Sequence, residues 1–455
     1  MLPPKIAETF GYMTIGGLLA YPFLVANLRV ASRFGFIDWP KSRGVSQEQI
    51  PIIGYGLVGF ILSVMAISAY YYDFSPWVLL TAGLVALMGH LDDRRPLPAV
   101  EKLVWQILCV LVVLYFDPNV RSSIGDKYGT WGFVMAGGAI IALVNAINFI
   151  DGIDGLAGTV IMMSALGLSA LSFGSTSHYS YFMIATLIVG AVIPFLYMNI
   201  AKRKGFLGNV GSYFFGYTLA VMHLSVPMNA TDPMARLCIN ALCFLIPLAD
   251  STTVMISRLL SVRSPFEGDK GHLHHRLVQA SLPLRVILFN FGLIAFTGIS
   301  IAYLLNEKTG MHYSRLPIVI CAAYVGIISL LISMIEMSSK RRLKSYFLRM
   351  DAGEPVYFLK YKIQTRNGTP VSSVTMRRLE AKISTEIRVY DVCFVHGEDE
   401  LFVVLNAMGE PIRAIANRIE PIFQHERLDA TLVLDKGEYL KLSYLEKNPT
   451  LQLKA

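Results

Sequence analysis

The sequence predicts an all-α polytopic membrane protein of about eleven helices, followed by a small α+β cytoplasmic domain. Three observations carry this expectation. The 455 residues are 54% hydrophobic and 16% charged, where a soluble globular chain carries about 25% charged residues. The charge is unevenly spread, with 38 charged side chains in residues 1–337 and 34 in the shorter stretch 338–455. The apolar runs are close to the roughly 20 residues a helix needs to cross a bilayer.

Eleven runs fit in order: 10–31, 51–71, 76–91, 103–117, 131–149, 157–174, 181–199, 211–227, 235–257, 284–305 and 316–337. The first has only Lys5 before it and continues to about Val30. It is therefore read as a retained span and not as a cleaved signal peptide. Pro194 and Pro247 fall inside spans, which membrane helices tolerate because neighbours satisfy the freed backbone groups.

An odd number of spans puts the termini on opposite sides. One set of loops carries Arg29, Arg33, Lys41 and Arg43, then Arg94, Arg95 and Lys102, then Lys202, Arg203 and Lys204, then Arg258, Arg263, Lys270, Arg276 and Arg285. The other side holds Lys5, Arg121, Lys127, Lys308 and Arg315, with Arg236 at an edge. The excess of cations marks the cytoplasm, so the N-terminus is expected outside and the tail inside. Lys340, Arg341, Arg342 and Lys344 follow the last span, where anionic lipid headgroups attract them. The expected layout is a membrane domain over 1–337, a basic linker over 338–350 and a soluble domain over 351–455.

The net charge of +8 thus belongs to membrane topology, and nucleic acid is excluded as a partner. The five cysteines, Cys109, Cys238, Cys243, Cys321 and Cys393, show no paired or metal-ligand spacing and read as packing residues.

The unusual polar clusters all fall on the expected cytoplasmic side. Asp92 and Asp93 end the third span in GHLDDRRPL. Asn148, Asp151 and Asp154 lie in NAINFIDGIDGLAG, where spacing of three predicts one helical face. Asp250 sits in the ninth span, and the loop beyond it holds Arg258, Arg263, Asp269, Lys270, His272, His274 and His275. Ionisable groups at membrane depth are costly and read as functional. Carboxylates gathered at one membrane edge repel unless a divalent cation joins them, and Mg²⁺ takes carboxylates together with substrate phosphates. Arg, Lys and His can hold the remaining phosphate charge. Phosphoryl transfer needs mostly this positioning and charge compensation. Plainer readings stand beside these: a charged helix terminus at Asp92-Asp93, a capping turn at NxxDxxD, and a solvated loop or structural zinc site at HLHH.

Together the clusters resemble the polyprenyl-phosphate N-acetylhexosamine-1-phosphate transferases, the family that also contains the phospho-MurNAc-pentapeptide transferase. The matching pieces are GHLDDRRPLPAVEKLVWQ (89–106), NAINFIDGIDGLAGT (145–159), FLGNVGSYFFG (206–216) and SPFEGDKGHLHHRL (264–277). The HLHH form looks like the WecA/TagO-like branch, which takes UDP-GlcNAc. The resemblance implies transfer of GlcNAc-1-phosphate from UDP-GlcNAc to polyprenyl (undecaprenyl) phosphate at a bacterial inner membrane, with release of UMP. It assigns Asp92 and Asp93 to the lipid phosphate and metal, and Asn148, Asp151 and Asp154 to the nucleotide and metal. It places Phe206 on the uracil ring, and Arg258, Asp269, His272, His274 and His275 around the sugar and pyrophosphate. Mg²⁺ is the implied cofactor, with Mn²⁺ as an alternative. Membrane lipids are expected partners, and a homodimer is compatible with the sequence.

Two departures stand out. Asp38 matches the family's first-loop acid, but the PxxGG motif after it reads Pro51-Ile52-Ile53-Gly54-Tyr55, with tyrosine in place of the second glycine. The family usually has Asp in F-x-G-D, where it binds the metal, and this chain has Asn209. An amide oxygen ligates a hard cation more weakly. Asn209, with a degenerate turn in the tail, keeps a second reading open, a catalytically silent membrane binder of UDP-sugar or lipid phosphate acting through its tail; the intact aspartates and HLHH oppose it. A transporter would show mid-span polar residues and internal repeats, and neither is evident.

In the tail, strands are expected at Val356–Ile363, Tyr390–Val395, Glu400–Leu405 and Ala430–Leu434, with helices at Ser373–Ile387 and Pro411–Phe423. The stretch RVYDVCFVHGEDELFVVL (388–405) resembles the signature hairpin of a GGDEF domain. The first strand, FLKYKIQ, lacks the acidic metal ligand of such cyclases, so a degenerate, non-cyclase domain is expected. A hairpin with an acidic turn in an unrelated α+β fold fits equally.

Overall fold

The structure, a computed structural model, describes residues 4–34, 37–38, 50–122, 129–173, 178–201, 205–226, 233–260 and 284–308. In the tail it describes 357–365, 392–396, 399–405, 419–423 and 428–434, with scattered single positions elsewhere. The chain divides into two compact units, one holding residues 1–274 and 284–329, the other 275–283 and 330–455.

Among its described residues the first unit is helical apart from one short ribbon and an isolated bridge between Ile52 and Phe206. Helix α1 (Pro4–Phe34) is followed by strands β1 (Ile37–Asp38) and β2 (Ile50–Pro51). Then come α2 (Gly54–Tyr71), α3 (Pro76–Arg94), α4 (Ala99–Phe116), α5 (Thr130–Ile150), α6 (Leu156–Leu171) and α7 (Tyr179–Leu196). Helix α7 runs into a π-helical turn, Tyr197–Ala201, before α8 (Gly208–Ser225), α9 (Pro233–Cys243), α10 (Leu245–Leu260) and α11 (Leu284–Lys308).

Among the described residues six helices are long and apolar enough to cross a membrane, or seven if a bent pair counts as one span. The chain is thus a mostly helical, polytopic membrane protein. Large apolar side chains remain exposed on outer helices, including Phe10 and Leu18 of α1, Val100, Leu108 and Leu111 of α4, and Phe289 of α11. So much bare apolar surface is stable against lipid and not against water.

The expected ninth span is not one straight helix. It breaks at Phe244 into α9 and α10, which turn by 96°. Pro247 stands just past the break and cannot donate a backbone hydrogen bond within the first turn of α10. The expected run 316–337 lies outside the described residues.

Helix α8 is the hub. Every residue from Val210 to Ser225 is buried, as befits a helix packed on all sides. It lies against α2, α3, α5 and α6, while α1 packs on α7 and α11 on α6. Gln106 of α4 and Asn145 of α5 exchange two amide hydrogen bonds, 2.8 and 3.2 Å long, one turn before Asn148. This pairing satisfies polar groups that would otherwise be costly among apolar helices.

The second unit contains an antiparallel sheet of β3 (Tyr357–Thr365), β4 (Val392–His396), β5 (Glu400–Leu405) and β6 (Leu428–Leu434) in the order β4-β5-β3-β6. Met376, Leu379 and Ile383 are helical and share one buried cluster with Leu359, Tyr361 and Ile363 of β3 and with Ile419 and Phe423. That order, with helical residues between β3 and β4 and again before β6, is the split βαβ arrangement. The acidic turn between β4 and β5 is tied to β3. Lys360 pairs with Glu400 at 2.6 Å, Lys362 with Asp399 at 3.7 Å, and the Ile363 N–H donates to the Asp399 carbonyl at 2.7 Å.

Candidate active site

The site is built around the first turn of α8. The chain enters it through Phe206-Leu207-Gly208-Asn209. Gly208 has φ +75°, and a Cβ there would lie 2.4 Å from Ile52 and 3.2 Å from Asp93 Oδ2. Only glycine meets both demands. The first N–H groups of a helix lack intrahelical partners, and Asp93 supplies them from α3. Its Oδ1 accepts from the Asn209 N–H at 2.8 Å and its Oδ2 from the Val210 N–H at 3.0 Å. The positive end of the helix dipole favours a carboxylate here. Burial nonetheless pushes the Asp93 carboxyl up to about 6, against the two N–H bonds that hold it down and with the neighbouring Asp92 charge adding to the rise.

Asp92 faces elsewhere. Its Oδ2 meets the Lys102 ammonium at 2.8 Å and its Oδ1 accepts from the Leu97 N–H at 2.8 Å. Adjacent residues on a helix point about 100° apart, so the pair serves two sides of α3. Asp92 closes the α3–α4 connection, and Asp93 holds α8.

Asn148 completes the cluster from α5. Its Nδ2 donates to Asn209 Oδ1 at 3.0 Å and to Ser212 Oγ at 2.9 Å. The expected single face for Asn148, Asp151 and Asp154 is not what forms. Helix α5 ends at Ile150, Asp151 is its C-cap, and Asp154 lies in the turn before α6. Gly155, at φ +80°, then turns the chain into α6. The Asp151 carboxyl is pushed up to about 7 by its enclosure and by the charges of Asp93 and Asp154, although the residue keeps partial exposure to solvent. Asp154 is exposed.

Two loops lock this turn to the α8 entrance. Phe206 accepts from the Ile53 and Gly54 N–H groups at 2.9 and 3.3 Å and donates its own N–H to Pro51 at 3.2 Å. Ile50 and Pro51 pair in turn with Asp38 and Ile37. A Cβ on Gly54 would fall 1.8 Å from the Leu207 carbonyl oxygen, so the glycine retained in the PxxGG motif is required by close approach. Asn199, buried on the π-helical turn, accepts from the Gly155 N–H and donates to the Gly205 carbonyl at 2.9 Å. One side chain therefore bridges the aspartate turn and the Phe206 loop. Asn199, Lys102 and Gln106 were not singled out by sequence. The available signal was a lone amide or ammonium at a span end, and a π-turn often marks function.

The structure thus brings Asp93, Asn148 and Asn209 into one bonded cluster, with Asp151 and Asp154 in electrostatic range and Phe206 on the adjoining loop. Asp92 is beside it but engaged with Lys102. The backbone of Asp38 joins the same ribbon, and Arg258 lies on α10; neither side chain is among those described. Asp269, His272, His274 and His275 lie outside the described residues. Among the described residues no three His, Cys, Asp or Glu side chains form a ready metal cage. The donors around α8 are nevertheless oxygens with an excess of negative charge, which in type suits a hard divalent cation.

Such a fold and such a site define a helical membrane protein with an acidic, amide-rich centre at one end of its spans. A family model described as glycosyl transferase family 4 matches residues 75–226, the stretch that carries Asp92, Asp93, Asn148, Asp151, Asp154, Phe206 and Asn209. The undecaprenyl-phosphate alpha-N-acetylglucosaminyl 1-phosphate transferase of Escherichia coli (strain K12) is 30% identical over 302 residues, covering 62% of this chain and 80% of that protein. The probable undecaprenyl-phosphate N-acetylglucosaminyl 1-phosphate transferase of Bacillus subtilis (strain 168) is 27% identical over 329 residues, covering 70% and 90%. The Yersinia pestis transferase is 28% identical over 323 residues, covering 66% and 83%. The chain belongs to this family, the polyprenyl-phosphate N-acetylhexosamine-1-phosphate transferases.

Proposed function

We propose that the chain transfers GlcNAc-1-phosphate from UDP-GlcNAc to undecaprenyl phosphate in a bacterial plasma membrane, at the start of a cell-envelope polysaccharide pathway. A phosphate oxygen of the acceptor attacks the sugar-bearing phosphorus, the bond to UMP breaks, and a diphosphate-linked lipid sugar forms. The observation that carries this reading is the cluster of Asp93, Asn148 and Asn209 at the N-terminus of α8, with Asp151 beside it. The carboxylates and amide oxygens call for a hard divalent cation, which takes carboxylates together with substrate phosphates.

In this reading Asp93, Asp151, Asn148 and Asn209 hold Mg²⁺, or Mn²⁺, which neutralises phosphate charge when bound. Asp92 acts through Lys102, which it holds at the membrane edge. Asp154 and Phe206 serve the nucleotide; Asp38, Arg258, Asp269, His272, His274 and His275 complete the donor and acceptor sites. The orientation is N-terminus outside, eleven spans, and site and tail in the cytoplasm, with residues 351–455 a degenerate GGDEF-like domain. Lys360 and Lys362 support that last point, because they neutralise the turn that would need acidic freedom to bind a metal nucleotide.

The test is UMP release by the purified chain with undecaprenyl phosphate and Mg²⁺, given UDP-GlcNAc or UDP-MurNAc-pentapeptide. Release with the first and little with the second is expected. Equal turnover removes the branch assignment. Binding of UDP-GlcNAc without release favours the silent binder, the reading that Asn209 keeps alive.

A further inference from the structure

Tyr55 stands on the first turn of α2, where its side chain crosses to α3. Its hydroxyl lies 2.8 Å from His90 Nδ1 and 3.5 Å from Asp93 Oδ2. The two rings meet edge to face, with centroids 5.5 Å apart and planes at 79°. His90 precedes Asp93 by three residues, so both lie on the same side of α3. We propose that Tyr55 is a positioning residue for the Asp93 carboxylate, with His90 setting the direction of its hydroxyl. The proposal rests on the transferase reading above.

The argument is one of proton count. A tyrosine hydroxyl has one proton and can also accept. If His90 carries its ring proton on Nδ1, it donates to the Tyr55 oxygen, and the Tyr55 proton is left for Asp93. If the proton sits on Nε2, the hydroxyl turns to His90 and Asp93 loses that donor. Asp93 already accepts from the Asn209 and Val210 N–H groups. Two donors from one helix end leave the carboxylate able to tilt toward that helix. A third, from α2, fixes it from another side. Phosphoryl transfer depends on such placement, and small displacements cost rate.

The experiment compares wild type, Tyr55→Phe, His90→Phe and the double variant in UMP release, with thermal unfolding of each. Phenylalanine keeps the ring packing at both positions. Tyr55→Phe is expected to lower kcat roughly tenfold, as for a hydrogen bond to a charged group. The KM for UDP-GlcNAc and the unfolding temperature should stay near wild type. His90→Phe should act likewise, and the double variant should fall no further, because both act through one bond. Undiminished kcat in Tyr55→Phe overturns the proposal. So do losses that multiply in the double variant, or a general fall of all parameters with lowered unfolding temperature, which marks a packing role. A wild type that releases no UMP sinks the transferase reading and this role with it.

Discussion

Asn209 stands where the proposed function expects a metal-holding carboxylate, and its geometry makes the departure testable. Its Oδ1 accepts from Asn148 and its backbone N–H caps onto Asp93. Aspartate has the same shape and keeps the acceptor. Asn209→Asp should therefore fit without rearrangement, raise turnover and lower the Mg²⁺ concentration needed, since a further charge strengthens cation binding at an edge of lowered dielectric. Superimposed Mg²⁺ titrations of the two forms would place the residue away from the metal. The neighbouring acids add a pH dependence. Asp93 and Asp151 are raised to about 6 and about 7, so protons occupy them as pH falls from 8 toward 6. A cation binds only the deprotonated form. UMP release should thus decline through this range, and raising Mg²⁺ should move the acidic limb to lower pH. An acidic limb indifferent to Mg²⁺ would detach these two residues from the cation. Asp92 gives a stability prediction. Its side chain is 2% exposed and its counterion is Lys102. Lys102→Met leaves a buried carboxylate with one N–H partner, and breaking such a pair costs about 3 kcal/mol. Pairing it with Asp92→Asn should restore part of the loss in unfolding temperature; no recovery would show that Lys102 stabilises in another way.

At the scale of elements, the described spans were legible because an apolar run near 20 residues has few alternatives. Strand β5 falls on its expected bounds and β3 within two residues of its own. The break between α9 and α10 was not legible, because a proline such as Pro247 is tolerated inside one continuous span as readily as beside a break. The aspartate turn was found by residue type, but its shape was misjudged: a spacing of three persists on paper after the helix has ended at Ile150. Asn199 shows the same limit. Nothing in YMNIA distinguishes an amide facing lipid from one that bridges Gly155 and Gly205. Its structural role predicts a kinetic one. Asn199→Leu removes both bonds and frees the aspartate turn from the Phe206 loop. The KM for UDP-GlcNAc should rise at least roughly tenfold, as expected when a buried two-bond contact is lost, while the KM for undecaprenyl phosphate changes little. An equal rise for both substrates would indicate general loosening of the fold and not a nucleotide-side bridge.

For the whole molecule, the distribution of aromatic residues and acids fixes which helix ends lie together. Tyr70 and Tyr71 end α2, Trp77 opens α3, Tyr115 and Phe116 end α4, and Trp131 opens α5. Tyr70 is 81% exposed and Trp131 74%, and Trp77 stacks on Phe116 at 4.6 Å. Rings with polar tips gather at the boundary between lipid and water. The opposite ends of α3 and α5 carry Asp92, Asp93 and Asp151. The aromatic girdle and the acidic site are thus at opposite ends of the same helices. The girdle does not say which end faces the cytoplasm, because both interfaces attract such residues. The proposed orientation rests on the loop cations: Arg94, Arg95 and Lys102 lie at the acidic end, where the positive-inside rule expects the cytoplasm. In a background freed of Cys109, Cys238, Cys243, Cys321 and Cys393, Tyr72→Cys should react with a membrane-impermeant maleimide in intact cells. Arg95→Cys and Gly152→Cys should react only after permeabilisation. The reverse pattern would turn the molecule over and put its site on the wrong side for a soluble nucleotide-sugar. Labelling of all three from one side would defeat the reading of α3 and α5 as spans, because the carboxylates and the girdle would then share one face of the membrane.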